Sequence, residues 1–357
     1  VTGWYAITPL GPVAIGNLTP VGQNSGQVGC RWPPNGHQLA ACLNLPTPKY
    51  ELNCKPGCTL WGPFWYDGRD PYVILPLPVY TTDRSAIENG QVPEEIYRLQ
   101  WRGNPGQEHW QVQAEHERSQ EDGTVEIVGG RYLIGGNSLQ DFWMRQESTS
   151  ATLQKLPWET LTLSHNSRQD FLVKDEGGFF AEMTTLLAPG WSILVKVIGD
   201  WEPPPYSFLG AGSTPVVIEP VEGLMDEWLD GGYEDGKADY NDATGAILLT
   251  GALWQNKQRK ESIPYPYTDR IKAYAAELGV PWQSWKKVKH SKDTERKVAT
   301  LTPGEWMTPA GAVYLWEGKA PEGLRSQPLP NPYNHQDNRY LLGYGHLWLF
   351  KDKEFEG

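Results

Sequence analysis

Apolar residues along this chain recur mostly in short runs with alternating or continuous patterning, the signature of strands rather than long helices. Tyr5–Leu10 is a first such run, ended by Pro9. Asn35–Leu43 predicts a short helix with Leu39, Ala40 and Leu43 on one side. Thr59–Tyr66 and Tyr72–Val79 predict two strands around an Asp67-Gly68 turn, a hairpin signal. Leu161–Leu163, Phe171–Lys174, Gly178–Leu187 and Ser192–Ile198 predict a further group of strands. Trp201-Glu-Pro-Pro-Pro-Tyr206 reads as an extended, semi-rigid connector and gives the natural boundary, dividing the chain into 1–202 and 203–357. Beyond it, Pro215–Ile218, Ala246–Leu249 and Ala312–Trp316 predict strands. Thr268 as a cap, Asp269 against the dipole, an apolar face of Ile271, Tyr274, Ala275 and Leu278, and a stop at Gly279 predict one well-specified helix. A last strand pair flanks Gly343-Tyr-Gly345. Two α+β domains, each a sheet with a few helices, follow from this pattern.

Composition sharpens that picture. The 38 Gly and 30 Pro in 357 residues favour many short strands joined by turns. The 17 Trp, scattered along the chain, read first as wedges between layers and second as platforms for bases or sugars. No apolar run reaches the roughly 18 residues of a membrane span, and the N-terminus lacks a signal-peptide pattern, so no membrane association and a cytoplasmic location are expected. A net charge of −12 argues against non-specific coating of nucleic acid. The charge is uneven: Lys257–Lys297 holds eleven Lys/Arg against five Asp/Glu, and Glu219–Asp242 holds nine acids and one Lys237. RNA binding is therefore a local possibility.

Candidate chemistry is sparse. Cys30, Cys42, Cys54 and Cys58 cluster in the first sixth of the chain. Cys54-Lys-Pro-Gly-Cys58 has knuckle-like spacing, with Cys30 and Cys42 available to complete a zinc tetrahedron, while buried free thiols need no such geometry. The chain has no nucleophile elbow, Walker loop, His-Glu-x-x-His or EF-hand loop. Metal-free RNA cleavage would need an acid and a base, for which His37 at the helix start and His290 among lysines are the candidates. Glycine loops fit another role, since Gly lets backbone N–H groups approach phosphates or bases. Gly210-Ala-Gly212 and Gly343-Tyr-Gly345 are such loops, and hairpin closure is the simpler account of either alone.

Taken in order, several motifs resemble the RAMP-superfamily, Cas-five-group subunit of the type III-B (Cmr) CRISPR effector that caps the five-prime handle of the guide RNA. They are Ile7-Thr-Pro-Leu10; Arg31-Trp-Pro-Pro34 with Leu39-Ala-Ala-Cys-Leu43; and Leu60-Trp-Gly-Pro-Phe-Trp-Tyr66 with Leu75-Pro-Leu-Pro78. They continue through His165-Asn166, Arg168 and Val173–Glu182, Leu209-Gly-Ala-Gly-Ser213, Leu249-Thr-Gly-Ala-Leu253, Pro309-Ala-Gly-Ala-Val-Tyr314 and Leu342-Gly-Tyr-Gly-His346. The chain departs from the family at Val13–Asn17, at Leu43-Asn44 and at Gly210-Ala-Gly212, which points to a variant system, a type III-D relative included.

The resemblance implies two ferredoxin-like (RRM-like) domains and a non-catalytic subunit without cofactor. Its partners would be the CRISPR RNA handle, the large polymerase-cyclase subunit, a backbone RAMP subunit and, indirectly, target RNA. The implied RNA contacts are Arg31, Trp32, His37 and Asn44; Arg168; Gly210, Ala211, Gly212 and Ser213; Lys286, Lys287 and Lys289; and Gly343, Tyr344, Gly345 and His346. The alternatives are a RAMP endoribonuclease with His37 or His290 as base, and a Trp-rich carbohydrate-binding protein.

Overall fold

The computed structural model describes residues 2–16, 27–28, 30–45, 58–145, 153–166, 168–169, 172–173, 179–225, 227–229, 242–256, 261–266, 270–283, 285–290, 293–301, 304–321 and 339–351. Its frame is an antiparallel sheet of eight strands. These are β1 (Gly3–Pro9), β2 (Cys58–Tyr66), β3 (Pro71–Ile74), β4 (Tyr132–Gly135), β5 (Leu153–Lys155), β6 (Ser192–Gly199), β7 (Tyr206–Leu209) and β8 (Thr214–Val221), in the order β5-β4-β3-β2-β6-β1-β8-β7. The chain therefore returns to this sheet beyond the triple proline. β8 pairs with β1, Ile7 opposite Ile218, and β7 pairs with β8. The boundary expected at 202/203 does not separate the sheets; the change of sheet falls between Val221 and Gly245.

A second sheet, in the order β10-β15-β9-β16, is built from β9 (Gly245–Leu248), β10 (Ile271–Ala275), β15 (Val313–Trp316) and β16 (Leu347–Phe350). Between β10 and β15 the chain makes a long hairpin. Its root pairs β11 (Val280–Trp282) with β14 (Glu305–Met307), and its arm pairs β12 (Trp285–His290) with β13 (Asp293–Leu301). A separate three-stranded sheet pairs Trp158–Asn166 with Phe179–Leu187, and Gln27–Val28 joins the latter in parallel.

Alternation explains how the layers stack. On one face of the large sheet, Ile7, Leu60, Ile193, Val195 and Val197 pack with Leu39 of the helix α1 (Gly36–Cys42) and with Leu43, which caps its C-terminal end. On the other, Trp4, Phe64, Val73 and Leu194 meet Ile247, Val313, Leu315, Trp348 and Phe350 of the second sheet. The intervening residues of that sheet, Ala246, Leu248, Tyr314, Trp316, Leu347 and Leu349, fill a third core with Trp254. Strands buried on both faces read as continuous apolar runs, as Val313–Trp316 and Leu347–Phe350 do.

The helix expected over Thr268–Gly279 is not formed where the chain is described. β10 runs over Ile271–Ala275, with Ala273 buried and Tyr274 exposed, and Leu278 is 93% exposed. Pairing to β15 supplies the backbone partners that a helix would make internally, and a two-residue period buries Ala273 where a helix would have buried Leu278. Thr268 and Asp269 lie outside the described residues. The strand pair expected around Gly343–Gly345 is also absent: a 3-10 turn, Arg339–Leu342, precedes the glycines and a single strand, β16, follows. Among the described residues beyond Val221, helix is limited to 3-10 turns, so the few helices expected in the second half are not seen there. No helix among the described residues is long and apolar enough to cross a membrane.

Candidate nucleic-acid interface

The first wall of the site is the start of α1. Asn35 caps it, its Oδ1 accepting from the amides of His37 (3.1 Å) and Gln38 (3.2 Å), while its own amide donates to Gln38 Oε1 at 2.8 Å. This reciprocal pair satisfies donors that a helix start leaves open. The absence of a side chain at Gly36 is a packing requirement: a Cβ there would lie 1.8 Å from the Leu342 carbonyl oxygen. The first turn of α1 thereby lies directly against the C-terminal glycine loop.

That loop is held from three sides. Gly343 has φ 81°, and a Cβ on it would lie 2.6 Å from the Gly62 carbonyl oxygen of β2. The Gly343 carbonyl accepts from Thr250 Oγ1 at 2.6 Å, Thr250 Oγ1 accepts from the His346 amide at 3.0 Å, and the Gly345 amide donates to Gly251 O at 3.0 Å. The Tyr344 hydroxyl lies 2.9 Å from His37 Nδ1 and accepts from Trp282 Nε1 at 3.2 Å. Behind it, Arg339 makes a bidentate ion pair with Glu305 (2.9 and 2.7 Å), both side chains buried, and its guanidinium sits 4.6 Å from the Trp282 ring centroid. Gln255 also donates to that carboxylate. The planar fork satisfies both carboxylate oxygens, the condition under which such a pair is tolerated inside a protein.

These segments enclose a cavity of about 220 Å³. Its walls include Trp32, Pro33 and Pro34; Gly62, Pro63 and Trp65; Leu249, Thr250 and Gly251; Met307, Pro309 and Ala310; and Gly343 and Tyr344. Drug-sized ligands need roughly 300–1,000 Å³, so this space is smaller than such a site. Few polar groups face it, among them Glu277 and Asn35.

Of the predicted contacts, Trp32, Gly343 and Tyr344 line this cavity, and His37 reaches it through Tyr344. Arg31 is half-buried and burial holds its guanidinium below its usual range. Trp32 is half-buried and packs with its ring tilted against Trp65 at 5.9 Å and Trp158 at 6.2 Å. Tyr344 is buried, and its hydroxyl is engaged by His37 and Trp282.

His346 is corrected from contact to core residue. It is 4% exposed, lies edge-on to Trp61 and Phe64, and its Nε2 has no partner among the described residues. Burial first, and the nearby Lys196 ammonium second, lower its pKa to about 4, so the ring is neutral. Gly345 serves the turn, with φ 72°.

Asn44 sits exposed at the far end of α1 with φ 51°. Gly210–Ser213 form the β7–β8 turn and do not line the cavity. A Cβ on Gly210 would lie 2.3 Å from Ala14 O, and the Ala211 amide donates to that oxygen at 2.7 Å, so packing and hairpin closure account for this loop. Lys286, Lys287 and Lys289 lie on β12, and Arg168 on a short strand; their side chains, and that of His290, are outside the described residues. Ala211, Gly212 and Ser213 are exposed.

Three cysteines are free thiols with structural surroundings. Cys30 Sγ lies 3.4 Å from the Ile15 amide and 3.5 Å from Val13 O, and Cys42 and Cys58 are buried in the first core. Burial raises the Cys42 thiol to about 11. Among the described residues no three His, Cys, Asp or Glu side chains come together to hold a metal, and Cys54 lies outside them.

Trp65, Thr250, Gly251 and Ala310 are cavity residues that sequence reasoning placed in fold motifs without a binding role, and Met307 stood in none of those motifs. Glu277 carried no signal, having been assigned to a helix.

No protein-family model and no curated protein matches the chain. Among solved structures, it is similar to a chain of the type III-B Cmr-beta bound to cognate target RNA (TM-score 0.49, 9% identity, 96% of each chain covered). A second Cmr-beta structure, with target RNA and AMPPnP, gives a TM-score of 0.45 at 9% identity, covering 96% of this chain and 95% of that one. A chain of the Csm3–Csm4 subcomplex of a type III-A CRISPR-Cas interference complex gives 0.32 at 7% identity, covering 88% and 93%.

Proposed function

We propose that this chain is a non-catalytic, RNA-holding subunit of a type III RNA-guided effector, with two RRM-like halves gripping the five-prime handle of the guide RNA. In that role it bridges the large polymerase-cyclase subunit to the first backbone subunit. The observation that carries the reading is convergence. Five segments that resemble the RAMP family in sequence, spread from Arg31 to His346, meet around one cavity. Glycines at 62, 251 and 343 bring backbone to its wall, and aromatic and proline surfaces make it a slot for a flat group.

A catalytic reading finds less support. His346 is buried and neutral, and His37 Nδ1 is engaged by the Tyr344 hydroxyl. The test is affinity of the purified chain for a labelled RNA carrying the repeat-derived handle of the native host, against a scrambled RNA. Ala310→Leu, which intrudes on the cavity, is expected to weaken handle binding about tenfold or more while the melting temperature stays within a few degrees. Equal affinity for both RNAs in the wild type would refute the proposal. Site-specific cleavage of repeat RNA in EDTA, abolished by His37→Ala or His290→Ala, would establish the endoribonuclease instead.

A further inference from the structure

The long hairpin rooted beside the cavity carries an aromatic group that the site does not use. In the root, β11 pairs with β14 so that Val280 faces Met307, Pro281 faces Trp306 and Trp282 faces Glu305. Trp282 and Glu305 are buried and Met307 lines the cavity, whereas Pro281 is exposed and Trp306 is 55% exposed. One side of the root thus closes the cavity and the other turns an indole outward. The Trp306 amide donates to Ser262 Oγ at 3.1 Å, and a Cβ on Gly279 would come within 3.1 Å of the Trp306 Cβ and 3.8 Å of its ring. Val280, 38% exposed, lies with Met307 on the cavity side and lines the cavity, and Leu278 before it is 93% exposed.

The same hairpin supplies charge. From Trp285 to Leu301 the arm has six Lys/Arg against two Asp/Glu in a protein whose net charge is −12. In the arm, Lys289 pairs with Lys297 across the strands. A half-open indole at the root of an arm rich in Lys and Arg is the pairing of features that single-stranded nucleic acid recognises: bases stack on the ring while phosphates follow the cations. A protein partner would be served by the apolar surface but not by the cationic arm beside it.

We propose that Trp306 is a stacking platform for an unpaired RNA base, with the β12–β13 arm holding the adjoining phosphates. The inference rests on the RNA-holding reading but names a surface outside the cavity. The experiment compares two fluorescein-labelled probes on the full chain: a short single-stranded oligoadenylate, and an abasic ribose-phosphate strand of equal length. The wild type is expected to bind the oligoadenylate about tenfold more tightly than the abasic strand. Trp306→Ala should erase that preference by losing oligoadenylate affinity alone, and Trp306→Phe should keep most of it. Lys287→Ala with Lys289→Ala should weaken both probes alike and lower the salt dependence.

The proposal is overturned if Trp306→Ala binds both probes as the wild type does, if it loses both equally, or if the wild type does not distinguish them. It is also overturned if Trp306→Ala leaves RNA affinity intact and instead loses a co-purifying protein. Retained preference for handle RNA alongside any of these results would sink this platform while leaving the proposed function in place.

Discussion

His346 makes the stability of this protein depend on pH in a window that can be calculated. Its ring is buried between the two sheets, edge-on to Trp61 at 5.4 Å and Phe64 at 5.9 Å. Lys196, itself buried and 4.7 Å from the Trp61 ring centroid, adds positive charge close by. Desolvation and that charge lower the pKa from 6.5 to about 4. In the unfolded chain the ring protonates near pH 6.5. Between these values the unfolded state binds more protons than the folded one, so stability rises with pH across the window. The neutral ring's contribution is complete above pH 6.5 and is lost as pH falls toward 4.

At about 1.4 kcal/mol for each pH unit, the gap of roughly two and a half units corresponds to ~3 kcal/mol at most. Urea unfolding of the wild type and of His346→Gln between pH 4.5 and 7.5 measures it. Taking the difference between the two proteins at each pH removes the titration of other groups. The wild type should lose about 2–3 kcal/mol more than the variant on acidification, a large part of a typical domain's stability. Parallel pH profiles for the two proteins would refute the argument, because they would mean that His346 titrates alike folded and unfolded.

Three further outcomes follow from the loop and its supports. Arg339→Met strands the Glu305 carboxylate inside the protein and should cost about 3–5 kcal/mol in urea unfolding, whereas Arg339→Met with Glu305→Met should recover part of that loss. Gly343→Ala forces a side chain into a left-handed conformation and against the Gly62 carbonyl. It should lower the unfolding free energy, read by urea unfolding, by more than the roughly 1 kcal/mol that a Gly-to-Ala change ordinarily moves. Tyr344→Phe removes the hydroxyl shared by His37 and Trp282 and should destabilise by about 1–3 kcal/mol, read by thermal unfolding.

Local signals were legible where a few adjacent residues decide the outcome. Leu39, Ala40 and Leu43 on one side marked a short helix over Asn35–Leu43, and α1 spans Gly36–Cys42. Asp67-Gly68 marks the turn between β2 and β3, where Asp67 Oδ1 accepts from the amides of Arg69 and Asp70 at 2.8 Å each. The strands expected around Ser192–Ile198, Pro215–Ile218, Ala246–Leu249 and Ala312–Trp316 are present because alternating or unbroken apolar residues have one economical way to be buried. Ile271–Leu278 misled for the complementary reason. Its spacing satisfies a helical face, and only the open edge of β15 makes the strand the better solution.

The residues by themselves determined that this protein would be sheet-rich, turn-dense and locally basic near its long hairpin, since periodicity, glycine and proline placement, and charge need no distant partner. Which glycines matter, and for what, was settled by tertiary contact. Gly343-Tyr-Gly345 reads as a hairpin in isolation, but in the fold it is a turn whose glycine touches the β2 backbone and whose tyrosine is tied to α1 and β11. His346 reads as an exposed contact and becomes a neutral core group. Trp306, unremarked among 17 tryptophans, becomes an outward-facing ring. Burial and close approach depend on segments hundreds of residues apart, and no local pattern encodes which of them will meet.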